Sequence, residues 1–231
     1  MSVKKRRNGS LFRFCRSVLQ ATGTRFRFQP PDGVSGPVVY IVHHRNLKGP
    51  LACMTWMNER QRPWVFSVFC SQKTCFRQYR DFTYTVRFGL PKVLAVLCAL
   101  PVSFFISSLM RSMQSIQVFR GSKRVVETFH RSVEVLMEGG NLLICPDTDN
   151  TDEGLVLGEI YDGFLDIERY YFRKTARHLT FVPLYVDDRT HGIYSGHAIR
   201  FETAHDPRSE KPKVLERLKA EFARLELGFA V

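Results

Sequence analysis

The chain has six cysteines but no Cys-x-x-Cys pair, and no His or Cys cluster accompanies Cys70 and Cys75. That spacing excludes a zinc ribbon, and Cys15, Cys53, Cys70, Cys75, Cys98 and Cys145 read as reduced, mostly packed thiols. No internal repeat and no long linker interrupts the sequence, as suits a single domain. An uninterrupted apolar stretch after the basic start is also missing, because Arg13 and Arg16 break the segment that follows Lys4, Lys5, Arg6 and Arg7. A secretory signal is therefore not expected, and the chain is expected to stay in the cytoplasm. Acidic residues are scarce at the front: residues 1–131 hold 4 against 22 basic ones, a formal +18, whereas residues 132–231 hold 18 against 12, or −6. A field divided in this way points to an anionic partner, whether lipid headgroup, phosphorylated substrate or nucleic acid.

What is present is an ordinary globular composition. The chain has 231 residues, 44% hydrophobic and 24% charged, with a net charge of +12, long enough to bury its own core without metal or disulfide support. Residues 10–22 place Leu11, Phe12, Cys15, Val18 and Leu19 at helical spacing with arginines toward the other side. Such a basic amphipathic helix suits a membrane interface, or else packs on the protein's own core. Between Val93 and Met110 runs VLAVLCALPVSFFISSLM, eighteen residues without a formal charge. This is the shortest length usual for a membrane span, but Pro101 and three serines make it a poor one, so an interfacial or re-entrant helical pair and a buried core helix stand beside it.

Short apolar runs at 38–43, 64–69, 116–119, 142–145 and 181–186 read as strands. Helical periodicity predicts helices at 51–57, at 122–138 with Ser122 as its cap and Gly139–Gly140 at its end, around 164–177, and from about Lys211. Strands alternating with helices predict an α/β fold, a single domain with a central mixed sheet flanked by helices. Residues 1–30 form the basic membrane-surface segment in this reading and 31–231 the domain.

Three segments carry chemistry. In VVYIVHHRNLKGP, His43 and His44 leave a buried strand and enter a loop, where an imidazole can take a proton from an alcohol. In IQVFRGS, Arg120 ends a strand with Gly121 and Ser122 at the next helix's start, a guanidinium and amides suited to phosphate. In LLICPDTDNTDEG, a strand delivers Pro146, Asp147 and Thr148 into an acidic turn.

Taken in order over about residues 36–203, VVYIVHHRNLKGP, IQVFRGS, LLICPDT and FVPLYV resemble the phospholipid/glycerol acyltransferase family, which includes 1-acylglycerol-3-phosphate acyltransferases. That family has a strand ending in His followed, after four intervening residues, by an Asp, then a substrate-binding Arg, a Phe-Pro-Glu-Gly motif and a Val-Pro strand. The resemblance implies an acyltransferase-like α/β domain in which His44 is the base. Arg120 and Gly121 would hold the acceptor's phosphate, and Asp147 and Thr148 would shape the acceptor site. It implies acyl-CoA or an acyl carrier protein as donor, a lysophospholipid-type acceptor, no metal or other cofactor, and the cytoplasmic face of a membrane, peripheral or re-entrant through 93–110. Gly49 stands where the family has its aspartate, and Cys145, Asp147 and Thr148 stand for its Phe, Glu and Gly. A working His44 then needs a carboxylate from elsewhere, with Glu59 or Asp147 as the candidates.

Two other readings keep different residues. A lipid-binding member of the same fold without catalysis accounts equally for Gly49 and the basic front. Asp147-x-Asp149 after a strand resembles haloacid-dehalogenase-like phosphatases, with Asp147 as nucleophile, Asp149 as acid/base and magnesium near Asp187 or Asp188. About 36 residues between the two strands is too short for several βα crossovers of about 30 residues each. An EF-hand starting at Asp147 fails at Asp152 and Gly158. No nucleic-acid module is visible, and nucleic acid is not an expected partner.

Overall fold

The structure, a computed structural model, describes residues 8–57, 60–148, 159–202 and 207–229. The basic run from Lys4 to Arg7, Glu59 and Asp149 lie outside them. In chain order the elements are α1 (Ser10–Thr22), β1 (Arg27–Gln29), β2 (Val38–Val42), α2 (Lys48–Trp56), β3 (Gln61–Phe66) and α3 (Gln72–Arg77). The helix α3 continues into a wider helix with i→i+5 bonding, Gln78–Arg87, followed by α4 (Lys92–Ser112), β4 (Ile116–Val118), α5 (Val125–Met137) and β5 (Asn141–Ile144). A short helical turn at Asp162–Asp166 leads into α6 (Ile167–Thr175), and β6 (Thr180–Asp187), β7 (Gly192–Ser195) and α7 (Pro207–Phe229) complete the chain. It is an α/β protein with a mixed sheet and helices, as the alternating pattern predicts.

The chain divides into two compact units, whose boundaries fall inside α1, β3 and α5. The larger, Val18–Arg62 with Phe129–Val231, is called the sheet unit here. Its strands run in the order β1-β7-β6-β2-β5. β2 is parallel to both neighbours, with Val39 opposite Leu142 on β5 and Phe181 on β6, while β7 is antiparallel to β6 and parallel to β1. Every residue of β2 and of β6 is buried, which is why both read as continuous apolar runs rather than alternating ones. Three parallel neighbours, β5, β2 and β6, end on one edge of the sheet, and loops starting at Cys145, His43 and Asp188 leave from that edge. Ligands of open parallel sheets bind at such carboxyl ends.

The smaller unit joins residues up to Ser17 with Pro63–Thr128 and is called the basic unit here. It contains 15 Lys and Arg against 2 Asp and Glu, a formal +13. β3 and β4 pair in parallel within it, Trp64 opposite Ile116. Its longest helix, α4, buries a stripe of small residues, Ala95, Ala99, Ser103 and Ser107, and packs along α3 and the wide helix. The serine hydroxyls donate back to the carbonyls of Leu100 (3.0 Å) and Phe104 (3.3 Å), so no buried hydroxyl is wasted. The large apolar side chains of α4 point outward instead, with Val93 73%, Leu97 64% and Phe104 65% exposed. Among the described residues α4 is the one helix long and apolar enough to cross a membrane.

Candidate active site

Register brings His43 and Asp147 together. Ile41 on β2 lies opposite Ile144 on β5, so a residue two beyond the first and one three beyond the second leave the same edge side by side. Asp147 Oδ1 accepts a hydrogen bond from His43 Nδ1, and Oδ2 accepts the His44 backbone N–H at 3.0 Å. Both carboxylate oxygens are thus committed to the two histidine residues, with Asp147 3% and His43 6% exposed. A carboxylate bound at Nδ1 leaves Nε2 as the ring nitrogen on the far side of His43. Shielded from water, such a pair is electrostatically stiff.

The carboxylate therefore comes from Asp147, one of the two expected sources, but it serves His43 and not His44. His44 is half-buried, and its Nδ1 accepts the Leu47 N–H at 3.2 Å, which ties the ring into the loop that follows. Sequence reading selects His44 by counting back from Gly49. The count carries no weight once the carboxylate arrives from another strand.

Gly49 has a steric reason to be glycine. A Cβ there would fall on the carbonyl oxygen of His43 and within 3.1 Å of Val42 Cγ2. A side chain at position 49 is excluded by the strand end that carries the histidine. The loop gets there through three successive non-glycine residues in the left-handed region, Arg45 (φ 42°), Asn46 (φ 48°) and Leu47 (φ 77°). Each costs roughly 1–2 kcal/mol, so something must hold them. Arg45 does so: its guanidinium is buried and donates to the Val186 carbonyl (2.8 Å) and to Asp188 Oδ2 (3.1 Å) at the end of β6. Arg45→Met removes both anchors and strands a buried carbonyl. An expected loss of about 2 kcal/mol lowers the melting temperature by about 4–8 °C, which thermal unfolding measures directly.

The neighbouring groups have settled roles. Burial pushes the Cys145 thiol well up, and nearby Asp147 and Cys53 add to this, so it stays protonated and is no nucleophile. Burial likewise raises Cys53. Asp187 turns the chain from β6 into β7: burial alone would raise its carboxyl, but the Thr190 hydroxyl (2.6 Å) and the N–H groups of Arg189 and Thr190 hold it below the usual range. Thr148 is exposed, and its N–H and hydroxyl donate to the Glu159 carbonyl at 3.1 and 3.0 Å.

Arg120 and Gly121 belong to the basic unit. The Arg120 guanidinium is exposed and lies 4.4 Å over the Phe66 ring, and Gly121 turns the chain at φ 67°. Ser122 Oγ accepts the Arg124 N–H at 3.2 Å, three residues before α5 begins, so the predicted helix start at 122 moves to Val125. No group of three or more metal-binding side chains occurs among the described residues.

Arg45 was not singled out by sequence reasoning. The usable signal was an arginine in the loop after one buried strand and an Asp pair, Asp187 and Asp188, at the end of another. Comparison of the chain with protein-family models, with curated proteins and with solved structures finds no match.

Proposed function

We propose that this protein is a membrane-associated acyltransferase on the cytoplasmic face, moving a fatty acyl group from an acyl thioester to the hydroxyl of a glycerol-phosphate-type acceptor such as lysophosphatidate. The observation that carries the reading is the His43–Asp147 pair at the carboxyl ends of adjacent parallel strands. It supplies a base with a fixed tautomer, which acyl transfer to an alcohol requires. The order of the four motifs supports the same family-like fold.

In this scheme Asp147 holds the His43 ring with Nδ1 protonated, and Nε2 removes the proton of the acceptor hydroxyl as its oxygen attacks the thioester carbonyl. The new C–O bond forms, the C–S bond breaks, and the imidazolium returns its proton to the departing thiolate. The donor is acyl-CoA or an acyl carrier protein, and the step needs no metal or redox cofactor. Arg120 and Gly121 are assigned to the acceptor's phosphate by their motif alone.

The test is acyl transfer from long-chain acyl-CoA, and from an acyl carrier protein, to lysophosphatidate with liposomes present, comparing the natural chain with His43→Ala and His44→Ala. Loss in the first and retention in the second is expected. Transfer that survives His43→Ala overturns the scheme. One observation favours a second reading, a lipid-binding protein without turnover: His43 is only 6% exposed. Liposome binding with no transfer from either donor selects it. The phosphatase reading requires Asp147 as an accessible nucleophile, and its burial with both oxygens engaged weighs against that.

A further inference from the structure

α4 has 21 residues, and at a rise of 1.5 Å each it is about 31 Å long, the thickness of a bilayer's hydrocarbon core. By length and composition it is a span. We propose that it does not cross, and that it lies along an anionic bilayer surface with its large side chains in one leaflet. The inference rests on the membrane part of the proposed function and not on the reaction.

Packed protein covers the other side of the helix. The buried stripe Ala95-Ala99-Ser103-Ser107 faces α3 and the wide helix, which fold back along α4 as an antiparallel hairpin closed at Gly89. Gln72 Nε2 reaches Ser103 Oγ at 3.5 Å, so the start of α3 stands abreast of the middle of α4. The chain between that point and the hairpin turn carries Lys73, Arg77, Arg80, Asp81 and Arg87. Arg80 and Asp81 pair with each other in the open, their side chains 38% and 57% exposed. If α4 crossed a bilayer, this packed partner would cross with it, and five ionised side chains would enter hydrocarbon. Charged groups inside membranes are rare and face protein or water-filled cavities, which exposed Arg80 and Asp81 do not.

The positive charge sits in the basic unit. The basic unit's +13 exceeds the whole chain's +12, and the sheet unit, with 19 basic and 20 acidic residues, sums to −1. The same unit holds the exposed Val93, Leu97, Leu100 and Phe104 on α4 and Phe82 and Val86 on the wide helix. Outward apolar side chains flanked by arginines and lysines match an interface whose acyl region lies beneath anionic headgroups. A soluble protein partner would not need this excess of one sign.

The full chain synthesised with vesicles of phosphatidylcholine and phosphatidylserine tests the orientation. Arg87→Cys and Gln117→Cys place thiols before and after α4, and a membrane-impermeant maleimide is added outside, with labelling read site by site by peptide mass. Both thiols labelled to a similar extent before detergent is the expected result. One thiol sheltered until detergent opens the vesicles means that α4 crosses, and overturns the inference. Leu97→Glu is expected to weaken vesicle pelleting at least tenfold, as is replacing the mixture by phosphatidylcholine alone. Unchanged pelleting in either case also overturns it. A natural chain that does not pellet at all removes the membrane part of the proposed function as well, while leaving the acyl-transfer assay to judge the His43–Asp147 pair.

Discussion

Asp147→Asn is expected to lower the proposed acyl transfer by three to four orders of magnitude and to leave the chain folded. An amide has nearly the shape of the carboxylate and keeps an oxygen to accept the His44 N–H, so the loop stays in place. What it loses is the charge that keeps the His43 proton on Nδ1. Facing an amide, the ring is free to carry its proton on Nε2, the nitrogen that must be empty to act as base. In the serine-protease triad the equivalent change costs about 10⁴ in turnover with the geometry preserved. His43→Ala is expected to cost a similar amount, and the double variant no more than either, because residues acting as one device are not additive. Rates with acyl-CoA and lysophosphatidate measure all three, and near-ultraviolet circular dichroism confirms that each variant is folded. A double variant much slower than both singles would show that the two residues act separately.

Gly49→Asp, which on paper gives His44 the spacing of the acyltransferase motif it resembles, is expected to disrupt the proposed site. Any side chain there meets the carbonyl of the residue that bears the base. Gly49→Ala alone is expected to cost about 2–3 kcal/mol, the usual price of forcing extra carbon into a closed site, or about 4–12 °C in melting temperature for a chain of this size. The aspartate adds a buried charge and is expected to leave little soluble protein. Thermal unfolding of the alanine variant and soluble yield of the aspartate variant decide the matter. An unchanged melting temperature in Gly49→Ala would mean that the loop can move aside, and the steric account of the missing aspartate would fail.

The strands that position the site were legible in the sequence, because β2, β5 and β6 are uninterrupted apolar runs. β1 and β7 were not: at three and four residues, RFQ and GIYS are held by pairing with each other and with β6, which no local pattern reveals. The helix through 72–87 was missed for a similar reason, since its polar sequence has few residues to bury and is set by packing on α4. At the site, sequence reading found Asp147 and the histidine pair but attached the carboxylate to the wrong ring. Which of two adjacent histidines meets an aspartate 104 positions away depends on strand register, and register is invisible in one chain read alone. Gly49 looked like a defect in a motif because a motif lists residue types, whereas the backbone decides which types can fit.

That separation of 104 positions also has a meaning for how the protein comes into being. During synthesis His43 is made before residues 63–128 of the basic unit, and the strand that brings its carboxylate only after them. β2 meanwhile has neither of its eventual neighbours, β5 and β6, and offers two open edges. The base is therefore assembled in the same event that closes the sheet, and a nascent chain ending before residue 147 contains every atom of His43 but none of its directed basicity. Amide hydrogens of β2 should accordingly be among the slowest to exchange, and their release should coincide with loss of the proposed acyl transfer on heating.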